Sequence, residues 1–514
     1  GSNAKTTYTY NGRGQRATET GAYGTRTYVY DKADNVVSIT DFDGRTRTFV
    51  YDALNRMIEE HWIGLTYDAA WTYDANGNVT RAADSYSTYT YTYDAAGRRT
   101  EVDNAGTPQG GARVVLTYTY DALNSLTSLS AWVSGLTGLT GFTNTYTYDS
   151  SRRLSAITQS GAGLTSKSAS YTYDATGYPI TDVFRNGAGG GTEVATITRS
   201  YSAIGRVERI TQRHGGAQIN FYAITYDNAG RISGITDVDG LRTYQYTPSG
   251  QLIAVDYSDG RTDESYSYDG NGNPTGFAYG VGDQITADGT YTYIYDGAGN
   301  LAQATESATG AKRQYVWDYR NRLTAVIEKT AGNVEIRRTE YTYDVNDRRI
   351  ARKVGSNPSE HFIYDGDNVL IECTKANPAG DATLRWVYLN GLAVDSMIAQ
   401  DNGAGTVWWR LTDHAGSTAD VLDGSGALLN HITYYAFGQV AAQSNPSASP
   451  RQLFQGRELD AETGLYYFRA RYYDPRLGRF ISLDPLGFDS GDENLYRFVH
   501  NNPVSFADPS GKSM

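Results

Sequence analysis

Along most of the chain, polar and apolar positions alternate with a period of two. In Thr88-Tyr89-Thr90-Tyr91-Thr92-Tyr93 every tyrosine falls on one face and every threonine on the other, the signature of a strand built from aromatic and β-branched residues. Asp94 follows, then Gly97-Arg98. Aspartate bonds its own backbone two residues on and glycine tolerates positive φ, so this stretch predicts a turn. A second alternation opens after such turns, as in Val36-Val37-Ser38-Ile39-Thr40-Asp41. The unit reads strand, turn, strand, which is a β-hairpin.

The phrase Tyr-x-Tyr-Asp repeats from end to end, clearly at Tyr91-Thr92-Tyr93-Asp94, Tyr171-Thr172-Tyr173-Asp174 and Tyr293-Ile294-Tyr295-Asp296. With degenerate copies its fourth position falls at Asn11, Asp31, Asp52, Asp74, Asp94, Asp121, Asp149, Asp174, Ala203, Asp227, Thr247, Asp269, Asp296, Asp318, Asp344 and Asp365, giving 16 units spaced 20 to 29 residues apart. A fixed period of this kind marks a unit that buries its apolar face only by stacking on its neighbours. Apolar runs at helical spacing are absent from residues 5–370 and glycine is abundant, at 56 of 514; both disfavour helix. Sixteen units exceed a usual propeller, whose blades need a period of about 40 residues or more. The expectation is an all-β chain in one continuous coiled sheet, curved because a twisted sheet of many strands cannot stay flat. Its inner tyrosine face closes on itself or on a cavity.

Composition adds limits. The 45 basic residues against 57 acidic ones give a net charge of −12, which provides no attraction to nucleic acid or to an anionic membrane. Cys373 is the single cysteine, so an intrachain disulfide and a cysteine-rich zinc site are excluded. No apolar run reaches the ~18 residues that span a bilayer. The 44 tyrosines demand a core in which each ring finds a partner for its hydroxyl. Residues 1–4, Gly-Ser-Asn-Ala, read as an expression-tag remnant; a start in mid-repeat makes the lack of a signal peptide uninformative. No Pro/Ser linker or charge run interrupts the repeat, so the chain divides into a repeat region, 5–370, and a C-terminal module, 371–514.

In that module the phrase changes. It carries Trp408-Trp409-Arg410-Leu411-Thr412-Asp413-His414-Ala415-Gly416-Ser417, then Phe454-Gln455-Gly456-Arg457-Glu458-Leu459-Asp460-Ala461-Glu462-Thr463-Gly464-Leu465-Tyr466-Tyr467-Phe468-Arg469-Ala470-Arg471-Tyr472-Tyr473-Asp474-Pro475, and two turns, Asp484-Pro485-Leu486-Gly487 and Asp508-Pro509-Ser510-Gly511. With the repeats, this block resembles the Rhs/YD-repeat family and its Rhs-associated core domain, found in bacterial polymorphic toxins, Tc-toxin C components and, distantly, teneurins. The resemblance implies a strip of hairpins wound into a hollow shell around a C-terminal toxin, with the core domain spiralling inward as a plug. It further implies autoproteolysis just after an Asp-Pro-x-Gly-Leu motif.

Carried onto this chain, the resemblance makes Asp484 and Asp508 the catalytic aspartates, with Arg479 as an orienting cation and Gly511-Lys512 as the cleavage region. Two close carboxylates cannot both ionise easily, so one keeps a proton while the pair activates water. The bland alternative is that each Asp-Pro-x-Gly is a plain turn. Lys512 stands where the family has leucine, which leaves open a loss of efficient cleavage, a shifted cleavage site or a chain that ends near the junction. Among the other candidates, His414 lacks a legible triad and Trp408-Trp409 reads as core packing rather than a sugar platform. Asp269-Gly270-Asn271-Gly272-Asn273 lacks the glutamate of a calcium loop. No metal or cofactor is expected.

The leading expectation is therefore an exported or surface-displayed bacterial shell that encapsulates and delivers a toxin for interbacterial competition. Its partners would be the toxin cargo, absent from this chain, with type VI or other secretion-apparatus proteins, a chaperone and an immunity protein. The alternatives are a cell-surface adhesion or carbohydrate-binding protein and a structural shell with an inactive protease.

Overall fold

The computed structural model describes residues 5–104, 111–187, 190–377 and 380–512; the tag reading of residues 1–4 lies outside them. The repeat is a ladder of antiparallel hairpins in which strands pair with the next along the chain, for example Gly141–Tyr148 with Leu154–Gly161 and Lys167–Tyr173 with Pro179–Asn186; the short strand Leu136–Thr137 instead pairs in parallel with Ala382–Asn390. The ladder forms a 23-stranded and a 17-stranded sheet, and a four-stranded sheet follows near the C-terminus.

The repeated phrase has a physical reason. Asp94 Oδ1 accepts the amides of Ala96 and Arg98 at 2.9 and 3.0 Å, closing the turn, while its other oxygen takes Arg98 Nε at 2.6 Å. Arg98 Nη1 then reaches the carbonyl of Asp121 in the following unit, at 3.2 Å. The tyrosine before each aspartate points backwards: Tyr93, Tyr173 and Tyr226 donate to the carbonyls of Val79, Leu154 and Val207 in the preceding units, at 2.9, 2.8 and 2.7 Å. Units of this kind are therefore hooked to both neighbours, and these tyrosine hydroxyls find their partners in the preceding unit. Replacing Tyr173 with phenylalanine is expected to lower stability by about 1 kcal/mol, the net worth of one such bond, measured by denaturant unfolding.

Two sequence expectations need correction. At the ninth unit the turn acceptor is Ser202, not Ala203: Ser202 Oγ takes the Arg206 amide at 3.1 Å, because only the hydroxyl offers an acceptor there. The sheet is also interrupted once, between the strands Glu264–Ser265 and Ala278–Tyr279, where Tyr268 bridges Pro274; proline has no N–H to give a ladder. In contrast, strands pair without a break across residues 370 and 371, through Asn368–Lys375 and on to Val440–Gln443.

Contacts between distant units show the coil. Tyr89 meets Asp344, Tyr118 meets Asp365, Lys167 meets Asp401, Gln212 meets the Thr412 carbonyl and Asp239 meets His431, at separations of 255, 247, 234, 200 and 192 residues. Both partners advance together along the chain, so the second sheet runs alongside the first in the same direction. The shrinking separation makes the winding a tightening spiral. The two walls share one core, in which Phe184 stacks on Trp409 and Ile157, Ala169, Val387 and Leu389 are buried. Elsewhere the wall stands away from the C-terminal segment and bounds a cavity of about 1690 Å3 lined by Tyr8, Arg26, Arg47, Asp283, Asp484 and Leu495, among others. Among the described residues, no helix is long and apolar enough to cross a membrane.

Candidate active site

The four-stranded sheet, Glu458–Asp460, Leu465–Phe468, Arg471–Asp474 and Arg479–Phe480, is the platform of the site. Its aromatic side chains pack around Phe498, with ring centroids 4.4 Å from Tyr473, 5.3 Å from Phe468 and 5.6 Å from Phe480. Buried ion pairs fasten it to the shell wall: Arg349 reaches Glu458 at 2.6 Å and Asp460 at 2.7 Å, and Arg451 reaches Glu360 at 2.8 Å and Glu458 at 3.2 Å.

On this platform the aspartates of the two Asp-Pro turns meet, although 24 residues separate them. Arg471 Nη2 lies 2.9 Å from Asp484 and 3.2 Å from Asp508. The remaining donors of Arg471 are also used: Nε gives to the Gly511 carbonyl at 2.6 Å and Nη1 to the Leu495 carbonyl at 3.2 Å. Its guanidinium sits 3.5 Å from the centroid of the Phe480 ring. All three charged groups are largely buried, at 3, 7 and 2% exposure for Arg471, Asp484 and Asp508, with Asp484 at the edge of the cavity, so one cation faces two carboxylates under weak solvent screening.

The two aspartates are held differently. Asp508 Oδ1 accepts three successive amides, those of Ser510, Gly511 and Lys512, at 3.2, 2.8 and 3.2 Å. Among the described residues, the Asp484 carboxylate accepts the Leu486 amide alone, at 2.9 Å, besides Arg471. Burial raises its pKa above the ordinary carboxylate value; Arg471 and the Leu486 amide oppose this, while Asp508 and Asp492 add to it. Asp484 thus keeps a proton more readily than an ordinary carboxyl does.

Arg479 is not brought to the pair. Its guanidinium donates to the Asp283 carbonyl at 2.8 Å and lies 4.9 Å from the Tyr496 ring, so it joins the platform to the first turn of the 17-stranded sheet, between Ala278–Tyr279 and Ile285–Ala287. Arg471 occupies the orienting position instead. The sequence signal was partial: Arg471 opens a strand otherwise made of rings and an aspartate, and an arginine buried there needs an anion, but Arg479 fits the same description. Among the other candidates, His414 Nε2 donates to the Val504 carbonyl at 3.1 Å, and Trp409 is fully buried with its Nε1 on Asn186. Asp269 Oδ1 is occupied by the amides of Asn271 and Asn273, as in the other turns.

Gly511 is required where it stands. Its φ is +68°, and an added Cβ would lie 1.9 Å from the Phe468 carbonyl oxygen. The terminal segment is gripped elsewhere by its carbonyls: Gln455 Nε2 takes that of Phe506 at 2.9 Å, Arg457 Nη1 that of Pro509 at 3.2 Å, and the Ala470 amide that of Ser510 at 3.3 Å.

A spiral wall of hairpins that seats its own terminal segment against a buried carboxylate pair defines a class, the coiled β-hairpin shell with an inward-turned core. The sequence comparisons agree: residues 187–504 match the model of the teneurin YD-shell, and residues 30–61 and 73–109 match the RHS repeat. The chain belongs to the YD-shell family of Rhs-repeat proteins. It is 29% identical to the tRNA3(Ser)-specific nuclease WapA of Bacillus spizizenii over 77% of this chain and 16% of that protein. It is 27% identical to the toxin protein Tse5 of Pseudomonas aeruginosa over 62% of this chain and 29% of that one. The crystal structure of TcdB2-TccC3-Cdc42 superposes with a TM-score of 0.73 and 18% identity over 98% of this chain and 28% of that one. The chain spans less than a third of the length of each of these.

Proposed function

We propose that this chain is part of an exported shell that encloses a C-terminal toxin and severs it after residue 512 by aspartate-dependent self-cleavage. The reading is carried by one observation, the meeting of Asp484 and Asp508 on Arg471 beside the clamped Gly511 carbonyl. Relatives named as a nuclease and as a toxin support the cargo assignment, with secretion-apparatus proteins, a chaperone and an immunity protein as the partners such a cargo requires.

In the proposed step, water adds to the carbonyl carbon of residue 512 while an ionised carboxylate of the pair takes its proton. Protonated Asp484 gives its proton to the departing amide nitrogen as the C–N bond breaks, leaving a carboxyl on residue 512 and a free amine on residue 513. Asp508 and Arg471 hold the segment in place. The acid form of Asp484 is lost as pH rises through its raised pKa, so cleavage is expected to slow towards neutral and alkaline pH, measured as a rate profile by intact mass. The same sign applies to stability: the protonated carboxyl contributes below its unfolded pKa, and that contribution disappears above the folded one. A flat profile through this window would remove Asp484 as the acid.

Encapsulation is tested on the chain with its downstream polypeptide attached. The severed fragment should co-elute with the shell and resist added protease until the shell is unfolded; free elution would contradict enclosure. The competing reading, in which these are only turns, is favoured by the three amides on Asp508, which repeat the geometry of the hairpin turns. It predicts a chain that never cuts.

A further inference from the structure

The Pro509 carbonyl is the meeting point of three parts of the molecule. Arg457 and Arg469 both donate to it. One carboxylate tethers both: Asp395 Oδ1 lies 2.7 Å from Arg469 Nη2 and Oδ2 lies 3.0 Å from its Nη1, and Asp395 is also ion-paired with Arg457. Arg469 Nη2 gives a further bond, 3.2 Å, to the Asp367 carbonyl. The two arginines flank strands of the core sheet. Asp395 and Asp367 belong to hairpin turns of the shell wall, between the strands Ala382–Asn390 and Met397–Asp401 and between Ser359–Asp365 and Asn368–Lys375.

A second, independent observation concerns the backbone. Asp395, Arg469 and Gln455 have φ of 65, 59 and 50°, in the left-handed region that non-glycine residues avoid. Arg469 and Gln455 bond the same terminal segment, at the Pro509 and Phe506 carbonyls, and Asp395 holds Arg469 in place. Strain of this kind persists only where its surroundings over-determine it, and it gathers where position matters to function.

We propose that Asp395, Arg457 and Arg469 form a positioning clamp that makes self-cleavage conditional on a finished shell. This rests on the self-cleaving reading above. The clamp closes only when the hairpins carrying Asp367 and Asp395 have joined the wall and the segment has docked against them. Closure fixes Pro509, and through it the position of Gly511 and residue 512 relative to Asp484 and Arg471. An incompletely wound wall leaves the segment loose and uncut, so the cargo is not severed before it is enclosed.

Asp395→Asn tests the clamp without breaking the turn, because asparagine tolerates the same φ. In the chain as it stands, the amides of 508–512 should exchange with deuterium about tenfold faster or more, the loss expected when a charge-assisted bond is weakened. The strands Leu465–Phe468 and Arg471–Asp474 should exchange as before. With the downstream polypeptide attached, cleavage should slow by about tenfold and intact mass should show cuts spread to neighbouring bonds, while Arg469→Lys, which keeps charge but loses the fork, should fall between. Unchanged exchange at 508–512 overturns the clamp whether or not the chain cleaves. Faster exchange with wild-type cleavage at a single bond overturns the checkpoint. A wild-type chain that never cleaves overturns the self-cleaving reading, and the checkpoint with it.

Discussion

Arg471→Met is expected to be among the most damaging single substitutions in the core. It removes the one cation shared by Asp484 and Asp508 and leaves two buried carboxylates facing each other. Taking one partner out of a buried ion pair costs about 3–5 kcal/mol. The orphaned carboxyls can relieve part of this by binding protons. The lost stability should therefore be largest at neutral pH and partly return in acid. Thermal unfolding at several pH values checks the sign. Arg471→Lys should not restore the wild type: an ammonium lacks the planar fork that here serves two carboxylates and the carbonyls of Gly511 and Leu495 at once. A variant that unfolds like wild type at every pH would mean that water or another group already compensates the pair.

Gly511→Ala should separate seating of the segment from folding of the core. The methyl group meets the Phe468 carbonyl oxygen at 1.9 Å, and the backbone there is left-handed. Neither the strand Leu465–Phe468 nor the sheet behind it can withdraw, since both are packed on the aromatic cluster. The segment must leave instead, losing the bonds from Arg471 and the Ala470 amide. Loss of self-cleavage is expected together with a modest drop in stability, of the order of 1–3 kcal/mol for overpacking. Rapid proteolysis confined to residues near 505–512 would report the displaced segment. Wild-type cleavage by this variant would show that the chain cuts without the seated geometry.

The hairpin ladder was legible because a period-two pattern and an Asp-x-x-Gly turn are local properties, set within a single unit. Even Ser202, where the phrase decays, kept an acceptor oxygen one residue from the expected place. The break at Pro274 was readable in principle, since a proline within a strand pattern demotes it. The aspartates were reached through the family resemblance. Their shared cation was not, because Arg471 and Arg479 are equally basic, equally buried and eight residues apart; only the tertiary path of the strand decides which one faces the Asp-Pro turns. The clamp on Pro509 was invisible for the same reason: Asp367 and Asp395 approach Arg469 only after the wall has wound round. Sequence period fixes what each hairpin is, whereas the meeting of distant units depends on the pitch of the spiral.

The most direct test of the central claim is the intact mass of the chain with its downstream polypeptide attached, compared with the same chain carrying Asp484→Asn or Asp508→Asn. The account predicts two fragments from the wild type, divided after residue 512, and a single uncut chain from each variant. An uncut wild type, or variants that divide at the same bond and rate, would contradict it.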